Sequence, residues 1–167
     1  RSTPATRLRP TRSTRSSRLR LADSGVLVAG ASRGLGRALS IALAEKGARL
    51  ALLARDGVEL EKTAALCRQA GAPQVLALVA DITQRDDCQR AVDETLHSLG
   101  GLDVLIANAG LSMWAAFDQV RDLTVFERLI EVNYLGAVYL LHASLAHLRA
   151  HRGRIVAISS AQAWTGM

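Results

Sequence analysis

Apolar positions along this chain change period several times. Between residues 26 and 159, short and almost uninterrupted apolar runs alternate with longer segments in which apolar residues recur every three or four positions. Runs of the first kind read as strands buried on both faces, and those of the second as amphipathic helices. The predicted strands are Val26–Ala31, Arg49–Ala54, Val75–Ala80, Val104–Ala107 and Arg154–Ser159, and the predicted helices run from about Gly34 to Lys46, Val58 to Ala70, Gln84 to Leu99 and Val125 to Ala150. Leu60, Ala64 and Cys67 form an i, i+4, i+7 face on the second helix, and Cys88, Val92, Thr95 and Leu99 form its counterpart on the third. Lys46-Gly47, Ala70-Gly71 with Pro73, and Gly100-Gly101 close the first three helices. Strands alternating with helices predict an α/β domain with a doubly wound parallel sheet. Right-handed crossovers would bring all strand carboxyl ends to one edge, where ligands bind at the switch in strand order.

Composition changes this picture mainly at the N-terminus. The chain has 167 residues, 49% of them hydrophobic, which suits one domain with a core. The formal charge of +6 is not spread over it: residues 1–21 hold seven arginines and no acid, together with eight Ser/Thr and two prolines. The remainder carries 14 basic and 15 acidic side chains. The reading is a disordered arm over residues 1–22 and a nearly neutral folded domain over 23–167. An Arg- and Ser-rich, acid-free arm matches an organelle transit peptide, while a remnant of upstream sequence and tethering to RNA or membrane stay open. For the domain itself no nucleic-acid partner is expected.

Cys67 and Cys88 have no CxxC partner and no neighbouring His, so they read as reduced core cysteines, which points to a cytoplasmic protein. The uncharged run Val132–Leu148 contains Asn133, His142, Ser144 and His147 and reads as a buried helix rather than a membrane span. His147 and His151 are spaced as in HxxxH, but no Glu follows His147 and the pair falls at an exposed helix end, so no metal site is expected.

Candidate chemistry gathers at the strand ends. The first strand runs through AGASRGLG into a helix, placing Gly30, Gly34 and Gly36 where a phosphate cradle forms: Gly30 allows a tight turn, Gly34 lets backbone approach a diphosphate, and the helix N-terminus offers free N–H groups. The spacing is GxxxGxG, neither GxGxxG nor a Walker loop, and tight packing alone could explain such a turn. Further on stand Asp81-Ile82-Thr83, Asn108-Ala109-Gly110, Asn133-Tyr134 within the long helix, and Ser159-Ser160. Asp81 could instead cap the next helix, and the serines could simply start a turn. Asn133 is unfavourable in mid-helix, which argues for a functional reason.

GASRGLG, ADIT, NAG, VNYLG and GRIVAISS occur in order, and on these motifs residues 25–163 resemble the short-chain dehydrogenase/reductase family, in its branch with the GxxxGxG loop. The resemblance implies a Rossmann-like sheet in strand order 3-2-1-4-5, ending before strands 6 and 7. It also implies that Gly30, Ser32, Gly34, Leu35 and Gly36 hold the cofactor diphosphate and ribose. Asp81 and Ile82 would bracket the adenine, and Asn108, Ala109 and Gly110 would line the adenosine side. Asn133 would bend the long helix and hold a relay water, and Ser160 would hydrogen-bond a substrate carbonyl. A small carbonyl or alcohol substrate, and a homo-oligomer assembled through the long helix, belong to the same expectation.

The expected cofactor is NADP(H) rather than NAD(H). An acid about 20 residues past the glycines grips the ribose 2′-OH of NAD, but Ala54 and Arg55 stand there, and Arg33 adds a second guanidinium. Two arginines can pair with a 2′-phosphate. Asp56 is the one complication, read as the cap of the second helix.

One departure from the family matters. Its general acid, the Tyr of YxxxK, would lie about 13 residues beyond Ser160, past Met167. The only lysines are Lys46 and Lys62, and neither Tyr134 nor Tyr139 is followed by one four places on. The expectation is therefore the N-terminal part of an NADP(H)-dependent carbonyl reductase or alcohol dehydrogenase, inactive as this fragment. A nucleotide-binding or regulatory relic that has lost its chemistry, and a nucleic-acid binder acting through the arm, are the other readings.

Overall fold

The structure is a computed structural model that describes residues 20–160; the expected arm therefore lies, for residues 1–19, outside the described residues. Five strands alternate with helices: β1 (Gly25–Ala29), α1 (Gly34–Ala44), β2 (Arg49–Ala54), α2 (Gly57–Gln69), β3 (Val75–Val79), α3 (Arg85–Leu99), β4 (Val104–Ala107), α4 (Thr124–Ile130), α5 (Gly136–Ala150) and β5 (Arg154–Ala157). The strands form one parallel sheet in the order β3-β2-β1-β4-β5. This is the doubly wound order expected from the sequence.

The uninterrupted apolar runs have their explanation in two cores. Alternate residues of one strand serve opposite faces of the sheet. Leu27 and Ala29 of β1, with Ala51 and Leu53 of β2, pack against Cys88, Ala91 and Val92 of α3 and Leu140 and Leu148 of α5. Val26 and Val28, with Leu50 and Leu52, pack against Ala44 of α1 and Leu60, Ala64 and Cys67 of α2. Both cysteines are free and buried, as expected. Burial of each such leucine contributes about 1.5–3 kcal/mol.

Strand ends differ from the expectation by one to two residues: β1 stops at Ala29, and the buried Ala31 already belongs to the following turn. A larger difference lies in the long helix, which is not uniform. Residues Glu131–Leu135 form a π-helical turn, with the Gly136 N–H donating to the Glu131 carbonyl five residues back, so α4 and α5 are joined across one wide turn. Nor is this helix buried all round. Val132, Gly136, Leu140, Ser144 and Leu148 form its packed stripe, whereas Ile130, Tyr134, Val138 and Leu145 are exposed. The stretch Thr124–Ala150 spans 27 residues and contains an 18-residue window of mean hydropathy 1.3, enough by length and composition to cross a membrane; α5 packs against α3 and β4. Between β4 and α4 runs a connection with one 3-10 turn, Phe117–Gln119, and exposed Trp114 and Phe117.

Polar contacts close the amino end of the sheet. Asp103 accepts from the Gly25 N–H at 2.8 Å, and Arg49 donates to the carbonyls of Asp23, at 2.9 Å, and Leu99. His147 corrects the expectation of an exposed helix end: it is half-buried, and its Nε2 accepts from the Leu102 N–H at 3.2 Å. Its ring stacks on His151 at 4.1 Å. Burial first, and then the neighbouring His151, pull its pKa below the usual histidine value. Among the described residues no cluster suited to a metal ion is found.

Candidate functional site

The carboxyl ends of β1, β2, β3 and β4 surround a cavity of about 480 Å3. Its wall includes Gly30, Ser32, Arg33, Leu35 and Gly36 from the β1–α1 loop, Arg55 and Asp56 from the end of β2, Asp81 and Ile82 after β3, and Asn108, Ala109 and Gly110 after β4. Leu111 and Val132 complete the far side. Of the residues proposed from sequence to hold a cofactor, only Gly34 is absent from the wall, and it lies between two that are present.

The loop geometry depends on close approach. A Cβ on Gly36 would stand 2.1 Å from the Gly30 carbonyl oxygen and 2.7 Å from Asn108 Nδ2, and one on Gly30 would stand 2.7 Å from Ala109 Cα. Gly34 differs: its φ of +56° favours glycine, yet beyond its chain neighbours and its own helix backbone nothing lies within 4 Å of where a Cβ would sit. Packing therefore does not demand glycine there, and the space stays open. Helix α1 begins with Arg33 as N-cap, without a side-chain capping bond and without an acid in the first turn. By contrast, Asp56 caps α2, accepting from the Glu59 N–H at 3.1 Å as expected, and α3 has Asp86 and Asp87 in its first turn. Helix α1 thus leaves its amino-terminal N–H groups and partial positive charge toward an anion. An uncapped helix end, an open glycine and two arginines form a donor set that suits a dinucleotide with a diphosphate.

The arginines are engaged but loosely. Arg33 pairs with Asp56 at 2.9 Å, and Arg55 lies 3.8 Å from Asp81. The Arg33 side chain is 71% exposed, so its pair contributes at most about 1 kcal/mol and is readily exchanged for a phosphate. Asp81 does not cap α3, whose N-cap is Gln84. One of its oxygens accepts from the Thr83 N–H at 3.0 Å and hydroxyl at 2.9 Å, and the other faces Arg55. Asn108 donates its amide to the carbonyls of Ala29 and Gly30 at 3.2 and 3.3 Å, tying the ends of β4 and β1 together. Asn133 sits in the π turn, and its amide is spent on Leu111: Oδ1 accepts from the Leu111 N–H at 2.7 Å, and Nδ2 donates to the Leu111 carbonyl at 2.9 Å. Ser160 follows β5 on the same edge, exposed, two residues beyond the Ile158 N–H that donates to the Ala107 carbonyl at 2.9 Å. Neither Ser160 nor Asn133 belongs to the cavity wall.

Two supporting residues were missed in the sequence. Asp87 accepts the Asp81 N–H at 2.8 Å, and that bond, then Arg90, holds its carboxyl below the usual carboxylate range. Arg37 joins the loop to α2 and contacts Glu59 at 2.7 Å. Bonds from Lys62 and then Arg37 lower the Glu59 pKa to about 2. A basic residue in the first turn of a helix opposes the helix dipole, and that was the available signal for Arg37.

The family model described as short chain dehydrogenase matches residues 24–167. The chain belongs to the short chain dehydrogenase family. It is 42% identical, over 139 residues, to 11-beta-hydroxysteroid dehydrogenase 1A of Arabidopsis thaliana; the match covers 83% of this chain and 40% of that protein. The chain thus spans less than half the length of that relative. Among solved structures, the alcohol dehydrogenase of the archaeon Thermococcus sibiricus, complexed with 5-hydroxy-NADP, superposes with TM-score 0.75 at 33% identity, covering 80% of this chain and 57% of that one. The NADH-dependent reductase A1-R′, complexed with NAD, gives TM-score 0.78 at 28% identity, with 88% and 64% covered. The family is one of oxidoreductases, and these two neighbours hold 5-hydroxy-NADP and NAD respectively.

Proposed function

We propose that the chain is the cofactor-binding part of an NADP(H)-dependent oxidoreductase that interconverts a carbonyl and an alcohol. The observation that carries this reading is the cavity at the strand ends, with an uncapped, acid-free helix N-terminus on one side and Arg33 and Arg55 beside it. Gly30, Ser32, Gly34, Leu35 and Gly36 would hold the diphosphate and ribose, Asp81 and Ile82 the adenine, and Asn108, Ala109 and Gly110 the adenosine side. Arg33 and Arg55 would take the 2′-phosphate. Bound there, the nicotinamide cofactor would supply or accept a hydride.

The remaining chemistry is assigned to this chain's own side chains. Ser160 would donate its hydroxyl hydrogen bond to the substrate carbonyl oxygen and orient it. Asn133 would lock the π turn to the Leu111 segment and so keep the far wall in place, the amide leaving only backbone groups of that turn for a relay water. Proton transfer to the carbonyl oxygen would need a Tyr-Lys pair, which these 167 residues do not supply. A ketone or secondary alcohol agrees with the name of the Arabidopsis relative.

Calorimetric titration with NADPH and NADH tests the cofactor assignment. NADPH should bind more tightly, and Arg55→Asp should weaken it by about tenfold or more while sparing NADH, because a charge-assisted phosphate contact becomes repulsion. Equal affinities in both proteins would refute the assignment. NADPH oxidation with a panel of ketones and aldehydes, by the chain alone and by a form extended with a Tyr-X-X-X-Lys segment, tests the reaction. Turnover by the extended form alone, abolished by Ser160→Ala, is expected; binding without turnover would favour a nucleotide-binding protein that has lost its chemistry.

A further inference from the structure

Arg37 makes more polar contacts than any arginine of the cavity wall, yet it is not itself part of that wall. It points back from the first turn of α1 toward α2. Its Nε donates to Thr63 Oγ1 at 2.9 Å; its Nη2 donates to the Glu59 carboxylate at 2.7 Å, to the Glu59 carbonyl at 3.2 Å, and to the carbonyl of Ser32. The single hydroxyl proton of Thr63, which is fully buried, is shared between the Glu59 carbonyl at 3.1 Å and the Ser32 carbonyl at 3.4 Å. One loop carbonyl is thus held from the α2 side by a guanidinium and a hydroxyl.

Holding that carbonyl fixes a peptide plane. In a trans peptide the C=O and the next N–H point in opposite directions, so pinning the Ser32 carbonyl toward α2 aims the Arg33 N–H away from α2. Arg33 is also one of the two arginines at the proposed 2′-phosphate position. The rest of the loop has supports of its own. The Gly30 and Ala31 N–H groups donate to the Leu53 carbonyl at 2.8 and 3.2 Å, and the Gly36 backbone rests against the Gly30 carbonyl. The stretch that depends on Arg37 is therefore Ser32–Arg33, next to the proposed 2′-phosphate position, and not Gly30, Ala31 or Gly36. The other end of the strut, Glu59, lies in the first turn of α2, whose N-cap Asp56 pairs with Arg33.

We propose that Arg37 is a positioning residue for cofactor selectivity: by tying the Ser32 carbonyl to Glu59 and Thr63, it sets where Arg33 stands relative to the end of β2, and so sets the preference for a 2′-phosphate over a 2′-hydroxyl. This rests on the cofactor reading given above. A residue of merely structural importance would lower affinity for both cofactors together. Arg37 changes their ratio.

The test is calorimetric titration of the chain with NADP+ and NAD+, for the wild type, Arg37→Met, Arg37→Lys and Thr63→Val. Arg37→Met keeps the aliphatic stem and removes the strut. It should weaken NADP+ by about tenfold, the scale of losing hydrogen bonds to a charged group, while NAD+ changes by less than about twofold. Arg37→Lys, which can still reach one carbonyl, should recover part of the ratio. Thr63→Val, nearly isosteric, removes one anchor and should shift the ratio in the same direction by about threefold, which keeps the test alive if Arg37→Met does not fold. An unchanged ratio, or equal weakening of both cofactors, overturns the proposal while leaving the cofactor reading standing. A wild-type chain that binds neither cofactor overturns both.

Discussion

Replacing Gly36 with alanine should damage this protein more than the same change two residues earlier. The Cβ would stand 2.1 Å from the Gly30 carbonyl oxygen, which is 3.0 − 2.1 = 0.9 Å inside the 3.0 Å limit that real Cβ atoms respect. A second backbone atom, the Gly30 carbonyl carbon, lies at 2.8 Å, and Asn108 Nδ2 at 2.7 Å. Neither backbone atom can rotate aside. Relief requires α1 to withdraw from the end of β1, or Asn108 to abandon the carbonyls of Ala29 and Gly30. Overpacking of this kind costs about 1–3 kcal/mol, and the displaced amide adds about 1 kcal/mol. The midpoint of thermal unfolding, followed by circular dichroism, should fall by about 5–15 °C on the scale of a domain this size. Gly34→Ala meets no atom from elsewhere in the fold within 4 Å and costs only what its φ of +56° demands, about 1 kcal/mol, or about 2–4 °C. Withdrawal of α1 also moves its free N–H groups, so Gly36→Ala should lose the stabilisation by NADPH that the wild type shows, about 2.7 kcal/mol when the cofactor stands at a hundred times its Kd. A Gly36→Ala protein that melts within 2 °C of wild type and keeps its response to NADPH would refute this account of how α1 sits on the sheet.

Three further outcomes follow from other parts of the molecule. His147 must stay neutral to accept from Leu102, and its pKa is lowered by burial; a histidine depressed on folding stabilises fully above its unfolded value of about 6.5, and that stability is lost as pH falls below it. Thermal melting should therefore drop from about pH 7.5 to 5.5, with a flatter profile in His147→Gln, and identical profiles would remove His147 as the cause. Cys67 and Cys88, whose thiols burial pushes up to about 11, should react with an aromatic disulfide reagent at pH 8 only on unfolding, and fast labelling of the native chain would contradict their burial. Asn133→Asp keeps the acceptor for the Leu111 N–H but sets a carboxylate against the Leu111 carbonyl; an unfolding free energy from urea titration lower by about 1 kcal/mol is expected, and no change would mean that the amide pair is not formed in solution.

How much of this was legible in the sequence depended on whether the determinant was local. The strands could be read because each is buried on both faces, so Val26–Ala29 and Leu50–Leu53 carry no polar interruption. The loop could be read because Gly30, Gly34 and Gly36 satisfy constraints only a few residues apart. Asp56 could be read as a cap because a cap acts within one helical turn. The apolar pattern did not show the π turn, because Val132, Gly136 and Leu140 are spaced by four, as in an ordinary helix; a distortion at Asn133, which lies in that turn, was expected only from the family resemblance. His147 was misjudged because its partner, the Leu102 N–H, lies 45 residues away and arrives only through the sheet topology. Asp87 and Arg37 act on the backbone of other segments, at Asp81 and Ser32, and a backbone partner has no residue type to recognise.

The wide turn at Glu131–Leu135 has a consequence for how this helix can vary. Each residue of an α-helix advances about 100° around the axis, and a turn holding one residue too many sets the two flanking segments out of phase by that angle. Straightening it into ordinary α-helix with every residue kept would swing the surface of Thr124–Ile130 by about a quarter of a turn relative to the stripe Gly136, Leu140, Ser144 and Leu148, whereas deleting one residue there would give a regular helix with both faces kept. The face seated on the sheet and the face shown by α4 are therefore coupled by chain length rather than by side-chain identity. Substitutions can change what either surface is made of, but the angle between them holds only while the extra residue stays accommodated in the wide turn.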